Sequence, residues 1–261
     1  MSDESTHRTG PTSSTTGDLP EIVDAATWRA ARLELLATEK ELNRHRDAVN
    51  TARRELPMVE VVKPYVFDGA DGPVGLADLF RQRRQLLIYH FMFEPDWTEG
   101  CPSCTYLIDN VGHQAHLHAR DTTLALVSRA PLDRLQAYRE RMGWDVDWYS
   151  SGRSDFNVDF GVTFDAPSGH VEYNYRDLSG DPAWQGWTGE QPGASAFLAE
   201  GGRVFHTYST YGRGLDLLVG TYNWLDLTAL GRQEDWELPP GRSDSSAMGW
   251  LHRHDRYPAG T

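Results

Sequence analysis

The chain has only two cysteines, Cys101 and Cys104, and both stand in one motif, CPSC. A Cys-x-x-Cys pair that opens a helix after an apolar strand puts its first thiol among unsatisfied backbone N–H groups, at the positive end of the helix dipole. Both effects stabilise thiolate over thiol, so Cys101 is expected to be acidic and to be the nucleophile at neutral pH. Cys104 lies one helical turn further on, close enough to resolve a mixed disulfide formed at Cys101. Pro102 suits the first helical turn, where its missing N–H needs no partner. Ser103 can hydrogen-bond a nearby sulfur or backbone group. The pair reads as a dithiol redox site: a zinc site normally takes four ligands, and the chain has no second CxxC.

The surrounding residues admit two readings each. His90 ends an apolar strand, His113, His116 and His118 follow the motif, and His206 lies near a hairpin signal. They read first as structural histidines; a copper or zinc site built from Cys101, Cys104 and either His206 or His90 is the alternative. Glu94, Asp96 and Glu99 precede Cys101, and their charge opposes the thiolate. Trp97 either stacks on a substrate or packs beneath its loop. Arg129 either stabilises a thiolate or an anionic substrate, or makes a surface salt bridge.

The elements that position these residues follow from periodicity. Residues 21–56 carry Trp28, Leu33, Leu36 and Leu42 among dense Arg and Glu without Gly or internal Pro, which predicts a long amphipathic helix, or two end to end, stopped by Pro57. Its stripe is expected to cover the following domain, with a homodimer contact as the alternative. LLIYHFMF, residues 86–93, reads as a central strand buried on both faces, and TTLALVSR as a second. A helix follows CPSC, and another spans PLDRLQAYRERMGW, from Pro131 to Gly143. This strand–helix alternation predicts a parallel α/β sheet with ligand chemistry at the carboxyl ends of its strands. Residues 145–191, rich in Asp, Gly, Ser, Trp and Tyr, are expected to form an ordered insertion that roofs the site. SAFLAEGGRVFHTYST reads as a hairpin and GLDLLVGTYNWLDL as the last helix. The domain is thus expected over 57–230, after a disordered leader at 1–20 and before a tail at 231–261.

Composition narrows the function classes. Lys plus Arg number 25 against 38 Asp plus Glu, a balance that repels nucleic acid and anionic lipid. No run approaches the roughly 18 apolar residues of a membrane helix, and the amino terminus lacks the pattern of a secretory signal. A cytoplasmic protein without nucleic-acid or membrane partners is expected.

Four long motifs carry a resemblance: HFMFEPDWTEGCPSC (90–104), SRAPLDRLQAYRERMGW (128–144), SDFNVDFGV (154–162) and VFHTYSTYGRGLDLLVGTYNWLDL (204–227). From about Ile22 to Tyr257 the chain resembles a bacterial thioredoxin-like family, catalogued as a domain of unknown function and described as predicted dithiol-disulfide oxidoreductases. The resemblance implies an α/β thioredoxin-like fold: a central, mostly parallel sheet with helices on both faces, an N-terminal long helix and an insertion before the C-terminal hairpin. It also implies that His206, Thr207, Tyr208 and Arg213, beside the strand facing the CxxC, either hydrogen-bond a substrate above Cys101 or serve a hydrogen-bonded hairpin with a buried Tyr. Thioredoxins carry a cis proline just before that strand; aligning SAFLAEGGRV with it puts Ala194 there and Pro192 two residues early. Pro95, Thr98 and Cys101 resemble a peroxiredoxin's Pro, Thr and Cys, with the Pro-to-Thr spacing one residue short. The expected activity is thiol-disulfide exchange without an organic cofactor, acting on a thiol or disulfide substrate and drawing on an external thiol reductant. Metal binding or delivery, and thiol peroxidase activity, are the alternatives.

Overall fold

A computed structural model describes residues 19–164, 171–238 and 243–258. Most of the expected leader, residues 1–18, lies outside the described residues. The first element, α1 (Ala25–Arg54), is one continuous helix whose N-terminus is capped by Asp24, which accepts a 2.8 Å hydrogen bond from the Thr27 N–H. None of its residues is buried. Its apolar stripe does not cover the domain as expected, because the helix projects away and meets the sheet near its last turn, where the Arg53 guanidinium sits 4.7 Å over the Tyr208 ring.

The strands β1 (Val59–Glu60), β2 (Val66–Gly69) and β3 (Gly72–Gly75) lead through a 3-10 turn at Leu76–Phe80 into β4 (Gln85–His90). Then follow α2 (Pro102–Asp109), α3 (Ala115–His118), β5 (Thr122–Ser128), α4 (Leu132–Met142) and β6 (Asp147–Ser150). Next come α5 (Phe156–Asp159), β7 (Thr163–Phe164), β8 (Glu172–Tyr173), β9 (Arg176–Asp177) and β10 (Gly189–Glu190). The long hairpin strands β11 (Gly193–Glu200) and β12 (Arg203–Tyr211) turn on Gly201 and Gly202, both at positive φ, where a Cβ would be strained. The expected last helix is broken into a 3-10 segment, Gly212–Leu218, and α6 (Gly220–Leu225).

The main sheet has the order β1-β12-β11-β4-β5-β6-β2-β3. Its centre is the expected parallel array, β4 with β5 and β5 with β6; antiparallel strands extend it on both sides, so the sheet as a whole is mixed. Within it, β5, β4, β11 and β12 form two parallel strands followed by an antiparallel hairpin, with a helix after the first strand. This is the thioredoxin-like arrangement. Side chains on a strand alternate between faces, so the sheet separates two cores. Tyr89 and Phe91 face α2, α4 and α6, together with Cys104, Leu107, Tyr138 and Tyr222. Leu86 and Ile88 face the 3-10 turn and α5, through Leu79, Phe80 and Phe156. Helical turns therefore cover both faces, unevenly.

The insertion begins later than expected. Asp147–Ser150 is a strand of the main sheet, paired in parallel with β5, and its DWYS sequence hides a core strand in a polar-looking stretch. Beyond it, β7 with β10 and β8 with β9 form two small sheets around Phe164, Val171 and Leu178. This subdomain is tied to the main sheet by the Tyr173 hydroxyl, which donates to the Pro192 carbonyl at 2.8 Å and accepts from the Gly212 N–H at 3.0 Å.

Candidate active site

Cys101 is the N-cap of α2, with Pro102 at the first helical position, so the motif sits at a helix start directly beyond the carboxyl end of β4. The local sequence explains the geometry. Pro102 cannot donate within a helix but fits its first turn, while the Thr105 N–H and hydroxyl both donate to the Cys101 carbonyl at 2.9 Å and close that turn. The Cys101 N–H donates to the Met92 carbonyl at 3.1 Å, and the Met92 N–H donates to Cys104 Sγ at 3.4 Å, so the backbone of one residue holds the Cys101 main chain and the Cys104 sulfur.

Both cysteines are free thiols; Cys101 is half-buried and Cys104 is 1% exposed. Their acidities diverge. A hydrogen bond from the Cys104 thiol, and donors at the Cys104 and Ser103 backbone and the Ser103 hydroxyl, outweigh burial and bring Cys101 down to about 6. Burial first, then the partner at Cys101, push Cys104 well above an ordinary thiol, opposed by hydrogen bonds from Tyr89 and Met92. The arrangement is a half-buried acidic nucleophile over a fully buried, protonated partner.

The preceding loop is held from two sides. Arg134 on α4 donates to the carbonyls of Pro95 at 2.8 Å and Trp97 at 2.7 Å, and Trp97 packs against the core beside Cys101. Arg253, from the tail, donates to the Gly100 carbonyl at 3.1 and 2.5 Å and to the Tyr138 hydroxyl at 3.0 Å. Tyr138 in turn shares a 2.9 Å hydrogen bond with Thr105. Asp96, Trp97, Glu99, Cys101, Pro102 and Arg253 line an open cavity of about 410 Å³ over the motif.

Glu99 does not oppose the thiolate with a free charge. Arg141 pairs with it, as do Arg253 and Arg256, each at 3.1 Å. The Arg141 hydrogen bond foremost holds Glu99 below the usual carboxylate range.

The chain belongs to a bacterial protein family of unknown function, DUF899, whose sequence profile matches residues 17–257. No curated protein matches the sequence. Among solved structures it is similar to the bacterioferritin comigratory protein of Xanthomonas campestris, with 12% identity, a TM-score of 0.40, and coverage of 62% of this chain and 96% of that one. Peroxidoxin BcpB from Mycobacterium tuberculosis is 13% identical, with a TM-score of 0.42 and coverage of 64% and 96%. PrxQ of Xylella fastidiosa is 10% identical, with a TM-score of 0.40 and coverage of 65% and 94%.

Of the residues expected at the site, the fold brings together Cys101, Cys104, Trp97, Pro102 and Ser103. Three others lie elsewhere. Arg129 pairs at 3.2 Å with Glu190, a buried carboxylate that also accepts from Thr163 and Asn157. Tyr208 carries the Arg53 guanidinium on its ring. His206 packs against Phe160 and Phe197, in the core across the sheet from Cys104. His90 is there too, stacked on Phe156 and Phe160. The two imidazoles are joined through Ser195 and Ser209 by contacts of 2.9, 2.8 and 2.7 Å. The alternative metal site of Cys101, Cys104, His206 and His90 is therefore corrected: the sheet stands between its sulfur and nitrogen atoms. Among the described residues no group of three or more His, Cys, Asp and Glu side chains is placed to hold a metal ion.

The proline reading is corrected as well. Strand β11 begins at Gly193, so Pro192 stands directly before it. Two contributors escaped sequence reasoning. Tyr89 neighbours His90 in a buried strand, and alternation alone predicts that the two face opposite cores. Arg253 lies in a tail with no periodic signal, and nothing local announces its contact.

Proposed function

We propose that this protein is a thiol-disulfide oxidoreductase in which Cys101 attacks and Cys104 resolves. The observation that carries the reading is the opposite displacement of the two thiols: Cys101 is lowered to about 6 at a helix start while its buried neighbour is raised. At neutral pH the Cys101 thiolate attacks one sulfur of a substrate disulfide; the new S–S bond forms as the old one breaks, and the departing thiolate takes a proton from solvent. Conversion of Cys101 into a mixed disulfide removes the negative charge that helps hold the Cys104 proton. Cys104 then gives up that proton, its sulfur supported by Tyr89 and the Met92 N–H, and attacks Cys101 to release the second substrate thiol. The resulting Cys101–Cys104 disulfide needs two electrons and two protons from an external thiol reductant, and no organic cofactor enters.

Among the described residues no helix is long and apolar enough to cross a membrane. A cytoplasmic location, where such reductants are plentiful, is part of the same proposal. Self-association through α1 is part of the same reading. Trp28, Leu35, Leu42 and Val49 recur at seven-residue intervals and are 61%, 53%, 66% and 42% exposed, a spacing that keeps one seam of a helix facing a partner helix. Sedimentation of the purified chain tests it: a monomer that is unchanged by Leu35→Glu/Leu42→Glu argues against the contact.

The deciding experiment is a redox titration of purified protein, with the state of both thiols read by alkylation and mass. A two-electron couple between about −120 and −300 mV is expected, with Cys104→Ser trapping a mixed disulfide at Cys101. A pair that stays reduced across that range overturns the reading. Peroxide added to Cys104→Ser separates the peroxidase alternative, since a peroxidase forms sulfenic acid at Cys101 with release of an alcohol or water.

A further inference from the structure

A cavity of about 860 Å³ lies away from the dithiol at the amino ends of the three parallel strands. Arg83 enters it just before β4, Thr123 from the start of β5, and Arg139 from α4, while Trp144, His113 and His118 complete much of its wall. A volume of this order holds a metabolite-sized ligand. Acidic residues outnumber basic ones 38 to 25, and Arg81, Arg84, Arg129, Arg141, Arg203, Arg232 and Arg253 each have a carboxylate oxygen within 4.0 Å.

Arg83 and Arg139, both half-buried, have none among the described residues. Each guanidinium is tied by a single hydrogen bond to a neutral oxygen: Arg83 to the Thr123 hydroxyl at 3.2 Å, Arg139 to the Val146 carbonyl at 3.4 Å. Two of the three carboxylates on the wall are already engaged. Asp147 accepts from Arg81 at 2.9 and 3.1 Å, and Asp109 accepts from the Trp144 indole at 2.8 Å and from His254 at 2.9 Å. Asp145 is left against two guanidiniums. A partly desolvated guanidinium without a counter-charge costs free energy that an incoming oxyanion offsets, and its planar fork suits a phosphate or carboxylate.

We propose that this cavity is a binding site for a small organic anion bearing a phosphate or carboxylate group, held by Arg83 and Arg139 with its apolar or planar part against Trp144. The site stands apart from the dithiol, which lies at the other end of β4 and at the opposite end of α2. It does not depend on the redox reading.

Calorimetric titration of the full-length, reduced protein with inorganic pyrophosphate, and separately with citrate, tests the proposal. One saturable site is expected for at least one probe, and which of them binds distinguishes a phosphate from a carboxylate ligand. In Arg83→Gln/Arg139→Gln binding is expected to weaken tenfold or more, while Arg84→Gln, which removes the surface pair with Glu200, leaves it unchanged. If the double variant fails to fold, Arg139→Lys is expected to weaken binding by a smaller factor, since an ammonium cannot form the fork. The His113 and His118 imidazole NMR signals of the unmodified protein are expected to shift with the same saturation curve. Saturation by neither probe, or binding that survives intact in a folded double variant, overturns the proposal. Equal binding by Cys101→Ser keeps the outcome separate from that of the redox titration.

Discussion

Arg253 donates two hydrogen bonds, of 3.1 and 2.5 Å, to the carbonyl of Gly100, the residue immediately before Cys101. The tail thereby reaches back across most of the chain to fix the loop from which the nucleophile projects. The same guanidinium pairs with Glu99 at 3.1 Å and donates to Tyr138 at 3.0 Å, so it neutralises a nearby carboxylate while tethering the backbone.

Arg253→Ala is therefore expected to act twice. Loss of hydrogen bonds from a charged donor costs about 1.5–3 kcal/mol, read from urea unfolding. The partly freed Glu99 charge then disfavours the thiolate, so the midpoint of Cys101 alkylation against pH moves upward. A variant that loses stability with an unmoved midpoint removes Glu99 neutralisation from the account of the thiolate.

Thiolate formation sets the pH dependence of Cys101 reactivity. With Cys101 at about 6, its alkylation rate rises about tenfold per pH unit below that value and levels off above it. Cys104→Ala removes the largest stabilising contact and is expected to move the midpoint toward the ordinary thiol value of about 8.5; Ser103→Ala moves it less. Stopped-flow alkylation of the three proteins checks the order, and a Cys104→Ala midpoint below that of Ser103→Ala contradicts it.

Gly100 has no room for a side chain. A Cβ there lies 2.6 and 2.9 Å from atoms of the Phe91 ring and 3.1 Å from Tyr138. Both rings are packed among Trp144 and Trp148, at centroid separations of 4.7 to 6.2 Å. Gly100→Ala is expected to cost about 1–3 kcal/mol by overpacking, measured as a lowered denaturant midpoint. An unchanged midpoint would mean that the loop moves freely, contrary to its two arginine tethers.

His90 makes the fold sensitive to acid. Burial foremost, with His206 adding to it, takes its imidazole from 6.5 to about 3. Below pH 6.5 the unfolded chain takes up a proton that the folded one refuses until about pH 3. Stability is therefore full above that window and falls through it as the pH drops, with a slope of up to about 1.4 kcal/mol per pH unit from this one group. His90→Gln loses packing at pH 7 but is expected to show a smaller drop in stability between pH 7 and 4.5 than the unmodified chain, in paired urea titrations. Parallel drops would assign the acid sensitivity to other groups.

How much of this was legible in the chain depended on the range of the contacts involved. CPSC after an apolar run announced its own geometry, because a helix start, its orphan N–H groups and the one-turn spacing of two thiols are local properties of adjacent residues. The alternating strands and helices around it, and the Gly201–Gly202 turn, were readable for the same reason. The faces of the sheet were implicit as well: consecutive Tyr89 and His90 point to opposite cores, which is why one supports Cys104 and the other stacks on Phe156.

What tertiary structure alone decided are the contacts between distant segments. Only the folded chain sets Arg253 on Gly100, turns Arg129 to Glu190, and leaves Arg83 and Arg139 facing a cavity without a carboxylate partner among the described residues. A charged side chain carries no sequence mark of which distant oppositely charged group it will meet. Its partner is chosen when burial of the apolar core brings elements together, and the electrostatics of the site follow from that packing.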